Sequence, residues 1–230
     1  MTKIKFWFWT TAIFFSIITY LDLAETRVLR FVWWDNFHAV VSPFLVGGLI
    51  SFLFYYLVVS IPEGKRRKVI KDNLKKQYKI IKKDILLQII FASHEGGRTD
   101  LETDEETLEK LLTTEGFKKA FSGGSEGDEG FYAFENYIGQ DVLEYREIIF
   151  NLKILAKQID FALHNYAVSD ANVFAFFKRL ETFLLRLEAI GPGYDQEKPL
   201  SSLIWEIFAG WSLIEGYRGY DIIEKMIEDL

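Results

Sequence analysis

The sequence contains no cysteine and only three histidines among its 230 residues. The absence of cysteine excludes a disulfide scaffold, a thiolate zinc site and a cysteine nucleophile. Three scattered histidines (His38, His94 and His164) argue against a histidine-rich metal centre, so we expect no metal and no cofactor. The hydrophobic content of 50% is too high for a disordered chain, and the net charge of −6 argues against a nucleic-acid coat.

Charge is distributed unevenly along the chain. Residues 1–62 carry a net charge of +1, residues 63–84 carry +7, and the remaining residues carry −14. Sixteen of the 38 aromatic residues lie within the first 62 positions. A nearly neutral aromatic segment followed by a basic and then an acidic segment is typical of a membrane protein that also has a soluble domain.

Two runs without charged side chains predict a transmembrane hairpin. The run 39–61 has 23 residues. As a helix it is about 34 Å long and can cross a hydrocarbon core of ~30 Å. The run 6–21 reaches a spanning length only if it extends to residue 24. We therefore predict a hairpin over residues 1–61, with spans at 6–24 and 39–61 and an outer loop at 25–38.

Basic residues at both ends of the hairpin predict its orientation. Lys3 and Lys5 precede the first span, and a basic cluster at 65–68 follows the second. Because cytoplasmic flanks carry the excess of lysine and arginine, both termini are expected in the cytoplasm of a multi-pass plasma (inner) membrane protein. A cleaved signal peptide is disfavoured, since cleavage before Glu25 would place Asp22 where a small residue is needed.

Small residues recur every four positions in the second span, at Ala39, Pro43, Gly47 and Ser51, with Gly48 beside them. This spacing allows another helix to approach closely. Two partners fit, the first span of the same chain or a second copy of the protein. We predict that Ala39, Gly47, Gly48 and Ser51 are helix-packing positions.

Residues 62–93 are predicted to form a long, basic amphipathic helix, whose apolar stripe comprises Ile70, Leu74, Tyr78, Ile81 and Ile85. The sequence at 60–63 resembles a capping box with proline in the first turn, which indicates a helix start. Three roles fit: packing on its own domain, lying on anionic lipid, or forming an oligomeric stalk. Its ten cations also permit contact with nucleic acid without specifying it. The candidate contacts for lipid headgroups or another anion are Lys65, Arg66, Arg67, Lys68, Lys71, Lys75 and Lys76.

Residues 94–230 are predicted to form an acidic, all-α cytoplasmic domain, because few segments alternate with the period of a strand. Glycine at both ends and throughout 123–130 predicts a flexible loop there. The predicted helices are 103–112 (capped by Thr103 with Glu106), 114–121, 131–166, 170–190 (capped by Asp170 and ended by 191–193), 199–217 and 220–230.

No arrangement of nucleophile, base and orienting group stands out, so no catalytic residue and no enzymatic activity are expected. The late aromatic cluster, with its single cation, permits stacking of a base or docking of a peptide, although packing in the core fits the same residues. The candidate ligand or partner contacts are Trp205, Trp211, Tyr217, Arg218 and Tyr220.

The order of these segments is similar to that of the small two-span effectors of bacterial antiviral signalling. In those proteins a cytosolic domain senses a nucleotide or a partner, and the spans perturb the membrane. The resemblance implies an oligomeric membrane effector gated by a small anionic ligand or a soluble protein. The alternative is a non-catalytic membrane anchor, a scaffold that recruits a soluble partner to the inner leaflet. Expected partners are the lipid bilayer and further copies of the chain.

Overall fold

A computed structural model describes residues 2–28, 34–123, 130–140, 142–166, 168, 170–190, 194–212 and 214–230. Within these residues the chain forms ten α-helices, one π-helical turn and a hairpin of two two-residue strands. The prediction of an all-α chain is therefore confirmed. The chain divides into two compact units, residues 1–66 and 67–230.

The first unit contains two paired helices, α1 (Thr2–Val28) and α2 (Trp34–Tyr55). The ring of Phe8 lies edge-on to that of Phe52, with 6.2 Å between centroids. A Cβ atom added at Gly48 would lie 3.9 Å from Cγ2 of Thr11. Early residues of α1 thus meet late residues of α2, so the two helices run in opposite directions. The predicted bounds of the outer loop, 25–38, are wrong, because α1 continues to Val28 and α2 begins at Trp34; residues 29–33 lie outside the described residues.

One helical stretch in the described part of the chain, Ala39–Glu95, is long and apolar enough to cross a membrane by length and composition. None of its most apolar 18 residues is buried within the protein. Among the described residues of α1, the apolar segment is Phe8–Tyr20, which is shorter than the roughly 20 residues of a typical spanning helix. A second spanning helix, and with it the two-span hairpin, is therefore not confirmed.

The predicted helix start at residues 60–63 is wrong. The helical backbone continues from α2 through a π-helical turn (Tyr56–Ser60) into α3 (Ile61–Glu95). Pro62 has no N–H, and its ring crowds the carbonyl four residues earlier, that of Val58. Val58 lies within the π turn, whose wider hydrogen-bonding pattern accommodates such an interruption. The proline therefore coincides with a local widening of the helix rather than with a new N-terminus.

The second unit is built around α3. Every member of its predicted apolar stripe is buried, and the stripe forms part of one core with the later helices. Of the three roles considered for the segment 62–93, packing on its own domain is the one that these contacts show. The later elements are α4 (Glu105–Leu111), α5 (Thr114–Phe121), α6 (Tyr132–Ile138), α7 (Leu143–Asn165), α8 (Ala171–Ile190), α9 (Tyr194–Phe208), β1 (Trp211–Ser212), β2 (Gly216–Tyr217) and α10 (Ile222–Asp229).

Local capping explains where several of these helices begin. Asp170 accepts a hydrogen bond from the backbone N–H of Asn172 at 2.7 Å, so the predicted cap of α8 is confirmed. The cap of α4 is Asp104 rather than Thr103, because Asp104 Oδ1 accepts from the N–H of Thr107 at 2.8 Å. The hydrogen bonds that Asp104 accepts from the backbone and the side chain of Thr107 lower the pKa of Asp104 below its usual value.

Two predicted helices are interrupted. The helix predicted at 131–166 is divided into α6 and α7, because Gly139 ends α6 and Val142 adopts an extended backbone conformation before α7. The helix predicted at 199–217 begins earlier, at Tyr194, and ends at Phe208, where α9 is followed by the β1–β2 hairpin. Residues 124–129 and 191–193, predicted as part of a loop and as a helix end, lie outside the described residues.

Candidate functional site

An open pocket of about 440 Å³ lies in the second unit. Residues from α6, α9 and the β1–β2 hairpin line it, together with residues at the end of α5. Pockets of roughly 300–1,000 Å³ with apolar walls and a few polar groups are the usual form of small-molecule sites. We therefore take this pocket as the candidate functional site.

Aromatic rings form the walls of the pocket. Trp211 and Tyr217 are partners in the register of the antiparallel hairpin, so their side chains lie side by side on one face. Trp205 of α9 lines the same pocket, and its ring lies 5.3 Å from that of Phe131. The ammonium of Lys118 lies 3.5 Å from the centroid of the Tyr217 ring, a cation–π contact that orients this ring.

A buried phenylalanine supports these walls from behind. Phe117 of α5 is fully buried, and its ring lies 5.8 Å from Trp205 and 6.2 Å from Phe131. It also stacks on Phe121 at 4.4 Å and lies 5.0 Å from Phe208 in the core. Phe117 therefore connects the aromatic walls to the core of the unit.

The polar group that distinguishes the pocket is the hydroxyl of Ser201. Ser201 lines the pocket and is only 3% exposed. In the described part of the chain no group forms a hydrogen bond with its Oγ atom. A buried hydroxyl without a partner costs about 1–3 kcal/mol. Glu135 and Lys198 add one charge of each sign to the lining.

Three of the five predicted contact residues meet at this pocket. Trp205, Trp211 and Tyr217 line it. Arg218 instead pairs with carboxylates, its Nη1 atom 3.1 Å from Glu206 Oε1 and its Nε atom donating to Glu215. Tyr220 also lies outside the pocket lining, with the ammonium of Lys225 4.6 Å from its ring centroid.

Sequence reasoning missed the polar part of the site. Ser201 lies four residues before Trp205, so both side chains project from one face of α9. The sequence shows this four-residue spacing, but it does not show that Ser201 is buried, and the spacing alone does not point to a site. The other lining residues that were missed are Phe121, Ser122, Gly123, Phe131, Tyr132, Glu135, Lys198 and Ser202.

The path of the hairpin depends on Gly210. Its φ is +62°, which L-residues other than glycine rarely adopt, and its carbonyl accepts from the N–H of Arg218 at 2.7 Å. A Cβ atom added there would lie 2.9 Å from the carbonyl oxygen of Tyr220. Gly210 therefore allows the chain to leave α9 and bring Trp211 to the pocket.

We expect Gly210→Ala to destabilise the protein by about 2–3 kcal/mol, the cost of a left-handed alanine plus a close contact. The control is Gly219→Ala, because Gly219 has a similar φ of +73° but no atom within 4 Å of its added Cβ. Thermal unfolding of the full-length protein in detergent would measure both. Equal losses in the two variants would show that contact with Tyr220 plays no part.

Two of the predicted lipid-binding cations, Lys71 and Lys75, form polar contacts with the C-terminal helix α10. Lys75 Nζ lies 2.5 Å from Glu228 Oε1, and the ammonium of Lys71 donates to the carbonyl of Glu228. The hydrogen bond to Glu228 raises the pKa of Lys75 and lowers that of Glu228. Glu224 lies 3.7 Å from Lys75 and from Lys79. The basic face of α3 is therefore partly neutralised by α10.

The other predicted cations are placed differently. The guanidinium carbon of Arg67 lies 5.7 Å from the ring centroid of Tyr166 within the second unit. The side chains at the remaining four positions are exposed. These positions are Lys65, Arg66, Lys68 and Lys76.

A buried polar cluster also joins α3 to α10. Asp221 Oδ2 accepts hydrogen bonds from Lys82 at 2.8 Å and from the hydroxyl of Tyr78. Its Oδ1 atom accepts from the N–H groups of Ile223 at 2.9 Å and Glu224 at 3.3 Å, which caps α10. Burial raises the pKa of Tyr78 well above its usual value, and the carboxylate of Asp221 raises it further. Tyr78 thus remains a protonated donor.

The pocket therefore combines aromatic walls, one buried hydroxyl and two opposite charges, without a grouped set of metal ligands among the described residues. No family model matches the chain, and comparison with curated proteins and with solved structures finds no significant similarity.

Proposed function

We propose that the protein is an integral membrane sensor and effector. Its first unit lies in the membrane, and its helical second unit senses a ligand at the aromatic pocket. The observation that carries this proposal is the apolar window of the Ala39–Glu95 helix, none of which its own chain buries. Such a surface needs apolar cover, and a bilayer supplies it.

Both helices of the first unit contribute to the membrane segment in this proposal. α1 has 27 residues and is therefore about 40 Å long. It can reach across a bilayer although its described apolar segment, Phe8–Tyr20, is short. The contacts Phe8–Phe52 and Thr11–Gly48 pair it with α2 in the antiparallel sense that a hairpin requires. The basic residues that flank the hairpin favour cytoplasmic termini.

The small-residue positions favour assembly of several copies. Gly48 faces α1, whereas Ala39, Gly47 and Ser51 are exposed on α2. A Cβ atom added at Gly47 would meet no atom within 4 Å. These exposed positions would let a helix of a second copy approach closely. An oligomer that rearranges when the sensor domain binds its ligand would perturb or gate the membrane.

The absence of cysteine makes the proposed topology directly testable. In bacterial spheroplasts, a membrane-impermeant maleimide should label Asp35→Cys but not Thr2→Cys or Asp229→Cys. Both terminal positions should become reactive after permeabilisation, because they are cytoplasmic in this proposal. Labelling of either terminus in intact spheroplasts would overturn the topology, and release of the protein by alkaline carbonate would overturn membrane integration.

The effector role has its own test. Native mass spectrometry in detergent should find a defined oligomer, and vesicles that contain the full-length protein should release an enclosed dye when the sensor domain is occupied. A strictly monomeric protein that never alters permeability would contradict the effector role.

An exposed apolar face on α7 favours the alternative function of a scaffold. Leu143, Phe150 and Phe161 are 65%, 57% and 53% exposed, and their spacing places them on one side of the helix. Such a face fits the docking of a soluble partner. Replacing residues 1–61 by an unrelated membrane anchor separates the two functions, because a scaffold would still recruit its partner whereas an effector would lose dye release.

A further inference from the structure

A notch of about 360 Å³ lies on one side of α1. Its floor consists of two small residues, Ala12 and Ser16, which lie one helical turn apart. The larger residues around this floor are Trp9, Ile13, Ile17 and Tyr20. The hydroxyl of Ser16 donates to the carbonyl of Ala12 at 2.9 Å, so it is already satisfied. Because membrane helices associate where small residues allow close approach, the notch has the form of a helix-packing site.

The notch faces away from α2 of its own chain. Phe8 and Thr11 are residues of α1 that contact α2. At about 100° per residue, Trp9 and Tyr20 share one side of α1, and this side lies opposite the one that carries Thr11. Both side chains are largely exposed. The described residues of the chain therefore leave the notch uncovered.

The outer side of α2 has the complementary shape. Its two adjacent glycines face different directions, because a Cβ atom at Gly48 would meet Thr11 of α1, whereas one at Gly47 would meet no atom within 4 Å. Phe44 lies three residues before Gly47, on the same outer side, and its side chain is 80% exposed. The outer side of α2 therefore combines a gap at Gly47 with a projecting ring at Phe44.

The contacts within the hairpin determine which residues of α1 and α2 lie at the same depth. Thr11 lies opposite Gly48, and the two helices are antiparallel, so each step forward along α1 corresponds to one step back along α2. Ala12 therefore lies level with Gly47, and Ser16 lies level with residues 43 and 44. Copies related by rotation about the membrane normal share one depth. The Phe44 ring of one copy thus lies level with the notch floor of the next copy.

We propose that the notch on α1 receives α2 of a second copy, with Phe44 seated on the floor and Gly47 against Ala12. The contact joins two different surfaces, so it is head-to-tail, and its repetition about the membrane normal closes a ring. The α1–α2 contact within each chain continues around this ring as an α1–α2 contact between chains, through Gly48 in the first and Gly47 in the second. This inference rests on the proposed function, because it requires both helices to lie in the membrane.

The absence of cysteine allows a direct test by disulfide cross-linking. The full-length variants Ala12→Cys and Gly47→Cys, carrying tags of different size, are produced together in one membrane and oxidised with copper phenanthroline. The head-to-tail contact should join the two variants to each other, because small residues bring the two backbones within the range of a disulfide. The control pair is Ala12→Cys with Phe54→Cys, since Phe54 is an exposed residue of α2 about 10 Å further along the helix.

The pattern of bridges distinguishes the possible occupants of the notch. Bridges only between like positions, Ala12→Cys to Ala12→Cys or Gly47→Cys to Gly47→Cys, would overturn the head-to-tail contact in favour of a two-fold one. The absence of any bridge between chains would overturn the second copy as occupant and leave the notch to a lipid chain. Bridges of equal yield in the control pair would overturn the match in depth.

A matched pair of ring deletions tests the seat of Phe44. Phe44→Ala should weaken association of the copies roughly tenfold, because the seated ring loses its contacts with the notch. Phe54→Ala removes another exposed ring of α2 at a different depth, and it should leave association unchanged. Native mass spectrometry over a series of detergent-to-protein ratios measures both. Equal effects of the two variants would overturn the role given to Phe44.

Dye-filled vesicles distinguish failure of this inference from failure of the proposed function. The predicted bridges in a protein that never releases dye would support the head-to-tail contact and overturn the effector role. Dye release by a protein that forms bridges only between like positions would overturn the head-to-tail contact and support the effector role.

Discussion

Replacing Asp221 by alanine should destabilise the helical unit of residues 67–230 by about 3–5 kcal/mol, because it leaves a buried charge without its partner. The ammonium of Lys82 lies 2.8 Å from the carboxylate in a pair that is almost fully buried. The variant also removes the acceptor of the Tyr78 hydroxyl and the N-cap of α10. All three losses fall on the contact between α3 and α10.

The measurement is thermal or urea unfolding of the full-length protein in detergent, followed by near-ultraviolet circular dichroism. A loss of this size corresponds to a fall in melting temperature of roughly 6–20 °C for a unit of 150–250 residues. A loss below about 1 kcal/mol would contradict the role given to Asp221.

A double variant removes the buried charges but keeps the cap of α10. Asp221→Asn keeps an oxygen that can cap α10 and accept from Tyr78, since asparagine is as good an N-cap as aspartate. Combined with Lys82→Met, it removes both buried charges together. The double variant should therefore be more stable than Asp221→Ala. If it is equally unstable, neither the unpaired charge of Lys82 nor the lost cap explains the destabilisation of Asp221→Ala.

The fold was predictable where local patterns determine it. The apolar stripe of α3 and the cap at Asp170 are visible in the sequence, and the structure buries the first and forms the second. The cluster around Asp221 was not predictable, because Tyr78 and Asp221 are 143 residues apart. The hairpin after α9 depends in the same way on the approach of Gly210 to Tyr220, which no local pattern encodes.

The site was predictable only in part, for a related reason. Residue type and spacing identified Trp205, Trp211 and Tyr217 as candidate contacts. The importance of Ser201 lies in a hydroxyl that is buried without a partner, and this property exists only in the folded chain. A sequence pattern shows which side chains share one face of a helix or strand. Whether a side chain is buried and hydrogen-bonded depends on elements that are distant in sequence.

Replacing Phe117 by alanine should cost about 3–5 kcal/mol, as is usual for a fully buried phenylalanine, and should also disorganise the pocket. The ring of Phe117 contacts Trp205 and Phe131, two of the walls, as well as Phe208 in the core. Removing it leaves a cavity directly behind those walls. We expect a lower melting temperature, an altered tryptophan emission spectrum and a loss of ligand binding.

The matched control is Phe177→Ala, which removes an equally buried ring from α8 that does not line the pocket. Both variants should lose similar stability, because each creates a cavity of the same chemistry. Under conditions where both remain folded, only Phe117→Ala should change the emission of the pocket tryptophans. If the alanine variant does not fold, Phe117→Leu retains most of the volume and tests the same contact at a smaller cost. Identical emission in the two alanine variants would show that Phe117 supports the core without shaping the pocket.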